Sequence, residues 1–146
     1  MINSDAKLKP AGLLRVMGCI LYDALLLSAV LFVSTLAFLA IPASIRDTAA
    51  AVQIGKMLWY FGLSYLYFVW SWQHGGQTPG MKAWRTHLTD CAGNLPSNQA
   101  TIKRFFAALL SWLLAGTGFL WMIVDKDKRS LHDRLSGTCL AFRKKP

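Results

Sequence analysis

His132 and Asp133 stand side by side in "RSLHDRLSGT" (129–138), flanked by Arg129 and Arg134. A His-Asp pair of this kind can share a divalent metal, as in metal-dependent phosphohydrolases, where imidazole nitrogens and carboxylates together activate water. Such a centre needs further ligands on neighbouring helices. The other histidines are His74 and His87, both in one loop, so the ligand count is too low for a metal site. No P-loop, G-x-S-x-G or H-E-x-x-H spacing occurs. The "GTG" at 116–118 lies in an apolar stretch without the strand–turn–helix setting of a nucleotide loop. We therefore expect no enzyme, no metal and no cofactor. Cys19, Cys91 and Cys139 are odd in number and scattered, with no C-x-x-C, so neither a disulfide framework nor a zinc site is expected.

Asp23 is a second chemically loaded residue, because its surroundings are apolar. It is the single charge in "VMGCILYDALLLSAVLFVSTLAFLAI" (16–41). With Arg15 at the membrane interface, eight residues of helix carry Asp23 about 12 Å deeper, toward the midplane. A carboxylate there costs about 2.5–3.5 kcal/mol on insertion scales, so it must face other helices and be paired or protonated. Two readings stand: a titrating proton or cation carrier, or a polar clamp between helices. Ser34 lies close to the same helical face. Arg15 and Asp23 sit about 80° apart on the wheel, so Arg15 needs another carboxylate.

The elements that position these residues are apolar blocks. The chain is 54% hydrophobic and 16% charged, against about 25% charged in soluble proteins. The first block is long enough to cross a bilayer with tilt and ends at Pro42. It exceeds the apolar core of a signal peptide, and an Asp within it is foreign to one. The second block runs from Val52 to Trp72, bracketed by Trp59 and Tyr60 at one end and Trp70 and Trp72 at the other, as in interfacial aromatic belts. The third, 105–124, is uncharged and just long enough to span, or bends back at "AGTG" (115–118). Ala107, Ser111, Ala115 and Gly118 give it a small-residue stripe suited to close packing.

Between the second and third blocks, "WRTHLT" (84–89) reads as a short strand that can pair with "TCLAF" (138–142), and Ser97 as a helix cap. Ser130 and Gly137 bound a short interfacial helix, with Leu131 and Leu135 toward the membrane and Arg129 and Arg134 toward headgroups.

The net charge of +9 could signal nucleic acid, but the basic residues flank apolar blocks instead of forming a stripe. That pattern fits loops on the anionic, cytoplasmic side of a bilayer. With three single crossings the basic residues nearly balance across the membrane. With a re-entrant third block, fourteen of the sixteen fall on one side. The positive-inside rule prefers the second arrangement, with N-terminus, long loop and tail cytoplasmic.

"LLRVMGCILYDALLL", "GGQTPGMKAWR" after the second block and "GFLWMIVDKDKRSLHDRLSGT" near the end together resemble the RDD family of bacterial membrane proteins, named for one arginine and two aspartates. The resemblance implies that those residues are Arg15, Asp23 and Asp133. It also implies an inner-membrane location and a role linked to transport, cation/proton antiport in some members. The loop reads "GQTPGMK" where the family is closer to "GQTLGKR", and His87 and Thr89 replace aliphatic strand residues.

The expectation is thus a single domain over 1–146, an all-α integral membrane protein of the bacterial inner membrane. It has two full transmembrane helices, a third apolar segment that spans or re-enters, and a short cytoplasmic interfacial helix. Asp23 is the ion- or proton-binding candidate, and Arg15 and Asp133 form a cytoplasmic structural or gating latch. Its partners are lipid and other copies or membrane proteins, without nucleic acid. Its role is proton- or cation-coupled transport of a small ligand through an oligomer, or non-transporting assembly and stabilisation of partners.

Overall fold

The computed structural model describes residues 9–46, 49–114, 116–127 and 129–142. β1 (Lys9–Pro10) leads into α1 (Leu13–Phe38), and a short α2 (Ala43–Arg46) precedes α3 (Ala50–Tyr65). Helical backbone continues from α3 through a π-turn (Leu66–Trp70) into α4 (Ser71–Gln73), with αR dihedrals at every junction. There follow α5 (Pro79–Ala83), β2 (Thr86–Asp90), α6 (Asn98–Leu113), α7 (Thr117–Val124), α8 (Leu131–Ser136) and β3 (Thr138–Phe142). Among the described residues one helix, α1, is by itself long and apolar enough to cross a membrane.

The third apolar block does not form one straight helix. Gly116 holds φ +76°, a left-handed conformation that ends α6, and α7 leaves at 99° to it. Within the bend, Gly118 is buried directly against the Ser111 side chain, so two members of the small-residue stripe pack helix against helix inside one chain. Ala115, a third member, lies outside the described residues. Ser97 caps α6 by accepting from the Ala100 amide, and Ser130 with Asp133 forms a capping box on α8, which ends at Gly137.

A three-stranded antiparallel sheet in the order β1-β3-β2 corrects the all-α expectation: the chain is mostly helical, with a small sheet. β2 and β3 pair from Thr86↔Phe142 to Asp90↔Thr138, and Lys9 faces Phe142 on the other edge. Segments from the start, middle and end of the chain therefore meet in one sheet. The pairing sets Cys139 opposite Thr89, two residues before Cys91, and a Cys91–Cys139 disulfide closes there (S–S 2.06 Å). This overturns the expectation of no disulfide. Wide separation along the chain says nothing about proximity once two strands are in register.

Burial divides the molecule. Val16, Cys19, Val69, Trp72, Met81, Leu88, Phe105, Met122 and Leu140 form one core beneath the sheet, with Leu88 fully buried. Beyond Asp23 no side chain of α1 is buried, and α3 has none at all. The two long helices touch through a Thr35–Tyr60 hydroxyl pair (2.9 Å) and the edge of Phe38 on Tyr60.

Candidate functional site

Asp23 sits where the packed and bare parts of α1 meet, and is only 4% exposed. Its Oδ1 accepts from the Tyr67 hydroxyl (2.7 Å) and the Gly80 amide (2.8 Å); its Oδ2 accepts from Thr78 Oγ1 (2.5 Å). Tyr67 comes from the π-turn, and Thr78 and Gly80 from the start of α5. One carboxylate thus ties α1, the second long helix and α5 together. The motif "GQTPG" is built for this contact. Thr78 caps α5 by accepting from the Met81 amide, and Pro79 takes the first helical position, where no amide donor is required. Gly80 lacks a side chain because a Cβ there would meet the Cys19 carbonyl at 2.5 Å and Asp23 Cγ at 2.7 Å. Gln77 donates to the Thr86 carbonyl (2.7 Å), joining the loop to the sheet. Both carboxylate oxygens are thus used as acceptors, one by two donors and the other by one. Ser34 is not part of this group; its hydroxyl donates to the Leu31 carbonyl.

Asp133 sits in a separate buried centre, and its partner is not Arg15. Arg104, from α6, makes the ion pair with Asp133, both side chains 4% exposed, and also donates to Thr138 Oγ1 (2.8 Å). The other carboxylate oxygen accepts from the Ser130 hydroxyl (2.5 Å) and amide (3.2 Å). Asp133 therefore fastens α6 to α8 and β3. Burial opposes its charge, but the Arg104 guanidinium and the Ser130 hydroxyl hold its carboxyl below the usual carboxylate range.

His132 lies beside this pair, with its ring edge against Phe119. Burial, reinforced by the Arg104 charge, pushes its pKa down to about 3, so the imidazole is neutral. Because Ser130 Oγ donates to Asp133, it must accept from His132 Nε2–H, which leaves Nδ1 as an acceptor. That Nδ1, Arg104 Nε and Trp72 Nε1 are buried without a hydrogen-bond partner among the described residues. Arg104 also lies over the Trp72 ring, 5.3 Å from its centroid.

Arg15 is placed elsewhere. Its guanidinium stacks on Phe142, 3.4 Å from the ring centroid, and donates to the Trp84 carbonyl (3.2 Å). It pins the start of α1 to the end of β3. The latch expected between Arg15 and Asp133 is corrected accordingly. The three residues hold three different seams, and Arg104 is the cation that Asp133 uses. The sequence placed Arg104 in a Lys-Arg dyad at an interface, which hid its role. Extending the stripe of Ala107 and Ser111 back toward the start of α6 would have reached Arg104 and Thr101, both buried. Arg129 and Arg134, expected at headgroups, are partly exposed and pair with Asp127 (2.5 Å) and Asp125 (2.6 Å).

Among known proteins, the chain is 33% identical over 98 residues to the iron-phytosiderophore transporter yellow stripe 1 of Zea mays. It is 31% identical over 98 residues to a probable metal-nicotianamine transporter of Oryza sativa subsp. japonica. Each match covers 56% of this chain and 14% of the relative, so the chain spans about one seventh of the length of these relatives. No solved structure matches it. The RDD family model matches residues 10–137, from β1 to the cap of α8 and including Arg15, Asp23 and Asp133: the chain belongs to the RDD family of membrane proteins.

Proposed function

We propose that this protein is a multi-pass subunit of an inner-membrane assembly, in which a small ligand crosses between neighbouring chains, coupled to protons or cations. The observation that carries this reading is the bareness of the long helices. Leu25, Phe32, Val33, Met57 and Leu58 stay more than 60% exposed, so lipid or another chain must cover them. A single chain packs its two long helices against each other too sparingly to enclose a pathway. Helical backbone over Ala50–Gln73, 24 residues or about 36 Å, suits a second crossing. The bend between α6 and α7 suits re-entry, because β1, β2 and β3 share a sheet and so favour one side for the N-terminus, long loop and tail. Fourteen of sixteen basic residues on that side favour the cytoplasm. Transport itself draws on the buried Asp23 carboxylate and on the partial likeness to two metal-complex transporters.

A second reading, a non-transporting module that assembles with or stabilises partners, is favoured by the three donors that fix Asp23 as a clamp. Reconstitution into proteoliposomes with pH- and cation-sensitive dyes separates the two. Flux that Asp23→Asn abolishes, in a variant that still elutes as wild type, is the expected result. Absence of wild-type flux leaves the assembly reading. Cysteines at Leu25 and Phe32 should cross-link between chains in native membranes, and their failure to do so would remove the oligomer.

A further inference from the structure

The Cys91–Cys139 pair belongs to none of the three seams above. Five register pairs already join β2 to β3, so the disulfide is not needed to hold the strands. Cys91 lies just past the end of β2, is solvent-exposed, and follows Asp90, whose carboxylate organises the turn by accepting from the Ala92 and Asn94 amides. Both cysteines line a cleft of about 690 Å³, walled also by Pro10, Thr89, Lys126 and Arg129. From the far wall Arg129 Nη1 reaches Cys91 Sγ at 3.6 Å, and Arg129 also pairs with Asp127. A cation against the exposed sulfur favours its anion, which makes Cys91 a good leaving group and, once free, a good nucleophile. On the topology proposed above, on which this point rests, the cleft faces the cytoplasm, where thiol pools keep most cysteines reduced.

We propose that Cys91 and Cys139 are a reversible dithiol–disulfide site, serviced by cytosolic thiols, that clasps and releases the wall of this cleft. The cleft leaves Cys91 Sγ open to attack by a thiolate of the glutathione class. Attack there breaks the Cys91–Cys139 bond, forms a mixed disulfide on Cys91 and expels Cys139 as a thiolate, which takes up a proton. A second external thiolate then attacks the external sulfur of the mixed disulfide. That releases Cys91 as a thiolate beside Arg129 and leaves the external pair oxidised. Two electrons and one proton have passed to the protein, Cys91 remaining a thiolate. The reduced form frees the 91–94 turn from β3; the oxidised form holds it closed over the cleft.

The test uses the full chain in native membranes, equilibrated with glutathione buffers of graded oxidised-to-reduced ratio, acid-quenched, and labelled under denaturation with a maleimide–polyethylene glycol. Cys19 is the free cysteine in the oxidised form, so that form gains one adduct and the reduced form three. The expected result is a conversion between these two forms within the cytosolic range of ratios. Arg129→Ala should slow reduction about tenfold, while Arg129→Lys keeps most of the rate. A pair fixed in either form at every ratio, or a rate indifferent to Arg129→Ala in a variant that elutes as wild type, overturns the proposal. Topology is read separately, by labelling reduced Cys91 with a membrane-impermeant maleimide in intact spheroplasts and in inverted vesicles. Labelling in spheroplasts overturns the cytoplasmic placement without touching the exchange result.

Discussion

The two halves of α1 solve different problems with the same backbone. From Leu13 to Asp23 the helix is packed under the sheet and α5, and Val16, Cys19 and Asp23 are buried. From Ala24 to Phe38 no side chain is fully buried, and Leu25, Phe32 and Val33 point outward. The first half is held as a soluble core is held, by apolar burial and by polar groups that find partners across seams. The second half needs no such partners, because in lipid a helix already satisfies its own backbone and apolar side chains cost nothing exposed. Stability should therefore be concentrated in the capped end, and interactions with other molecules in the bare end.

The sharpest way to break this division is to remove Arg104. Arg104→Ala leaves Asp133 charged and buried, and should destabilise the cap by about 3–5 kcal/mol. Thermal unfolding in detergent, followed by near-ultraviolet circular dichroism, reports it. A double-mutant cycle of Arg104→Ala with Asp133→Ala should show strong coupling, whereas Arg15→Ala with Asp133→Ala should be additive within about 0.5 kcal/mol. Coupling in the second cycle would restore the latch that the geometry removes.

A somewhat smaller loss is expected at Gly80. Gly80→Ala drives a methyl into the Cys19 carbonyl and Asp23 Cγ, and should cost about 1–3 kcal/mol as α5 is pushed off α1. Undiminished stability would mean that α5 docks loosely and that Asp23 is less firmly tied than its three contacts imply.

Acid should act on the cap in a defined direction. His132 is depressed to about 3 from an ordinary value near 6.5, so the folded state binds fewer protons than the unfolded one across that interval. Its contribution is fully present above about pH 6.5 and is lost as pH falls toward 3. Asp133, also depressed, adds loss in the same direction at the lower end. His132→Gln should flatten the melting-temperature profile between pH 6 and 4, and an unchanged slope would remove His132 as the source.

The smallest effect belongs to the bare hairpin. Thr35→Val deletes the hydroxyl contact with Tyr60 and should change stability by about 0.6 kcal/mol or less. A loss comparable to that of Arg104→Ala would erase the contrast between the two halves.

Much of this was legible in residues whose neighbours are close in sequence. Ser97 and Ser130 cap helices because their hydroxyls meet amides three residues on. The "AGTG" bend follows from a glycine free to take positive φ. The alternation in "WRTHLT" and the strand character of "TCLAF" were enough to anticipate β2 and β3 and their pairing, with β2 beginning at Thr86. β1 escaped notice, since two residues ending in proline carry no periodicity. Arg104 escaped because a basic dyad beside an apolar block reads the same whether it faces headgroups or the core.

By itself, the amino-acid order determined the apolar blocks, their breaks and caps, the excess of positive charge on one set of loops, and which carboxylates needed partners. All of these depend on local chemistry and on the transfer energy of a segment, which a sequence carries in full. Tertiary structure alone decided who those partners are. Asp23 is met by Tyr67, Thr78 and Gly80, Asp133 by Arg104, and Cys91 by Cys139, across separations from 29 to 57 residues. Hydrogen bonds and disulfides act over a few ångströms, so only the packing of distant segments brings the matching groups within reach.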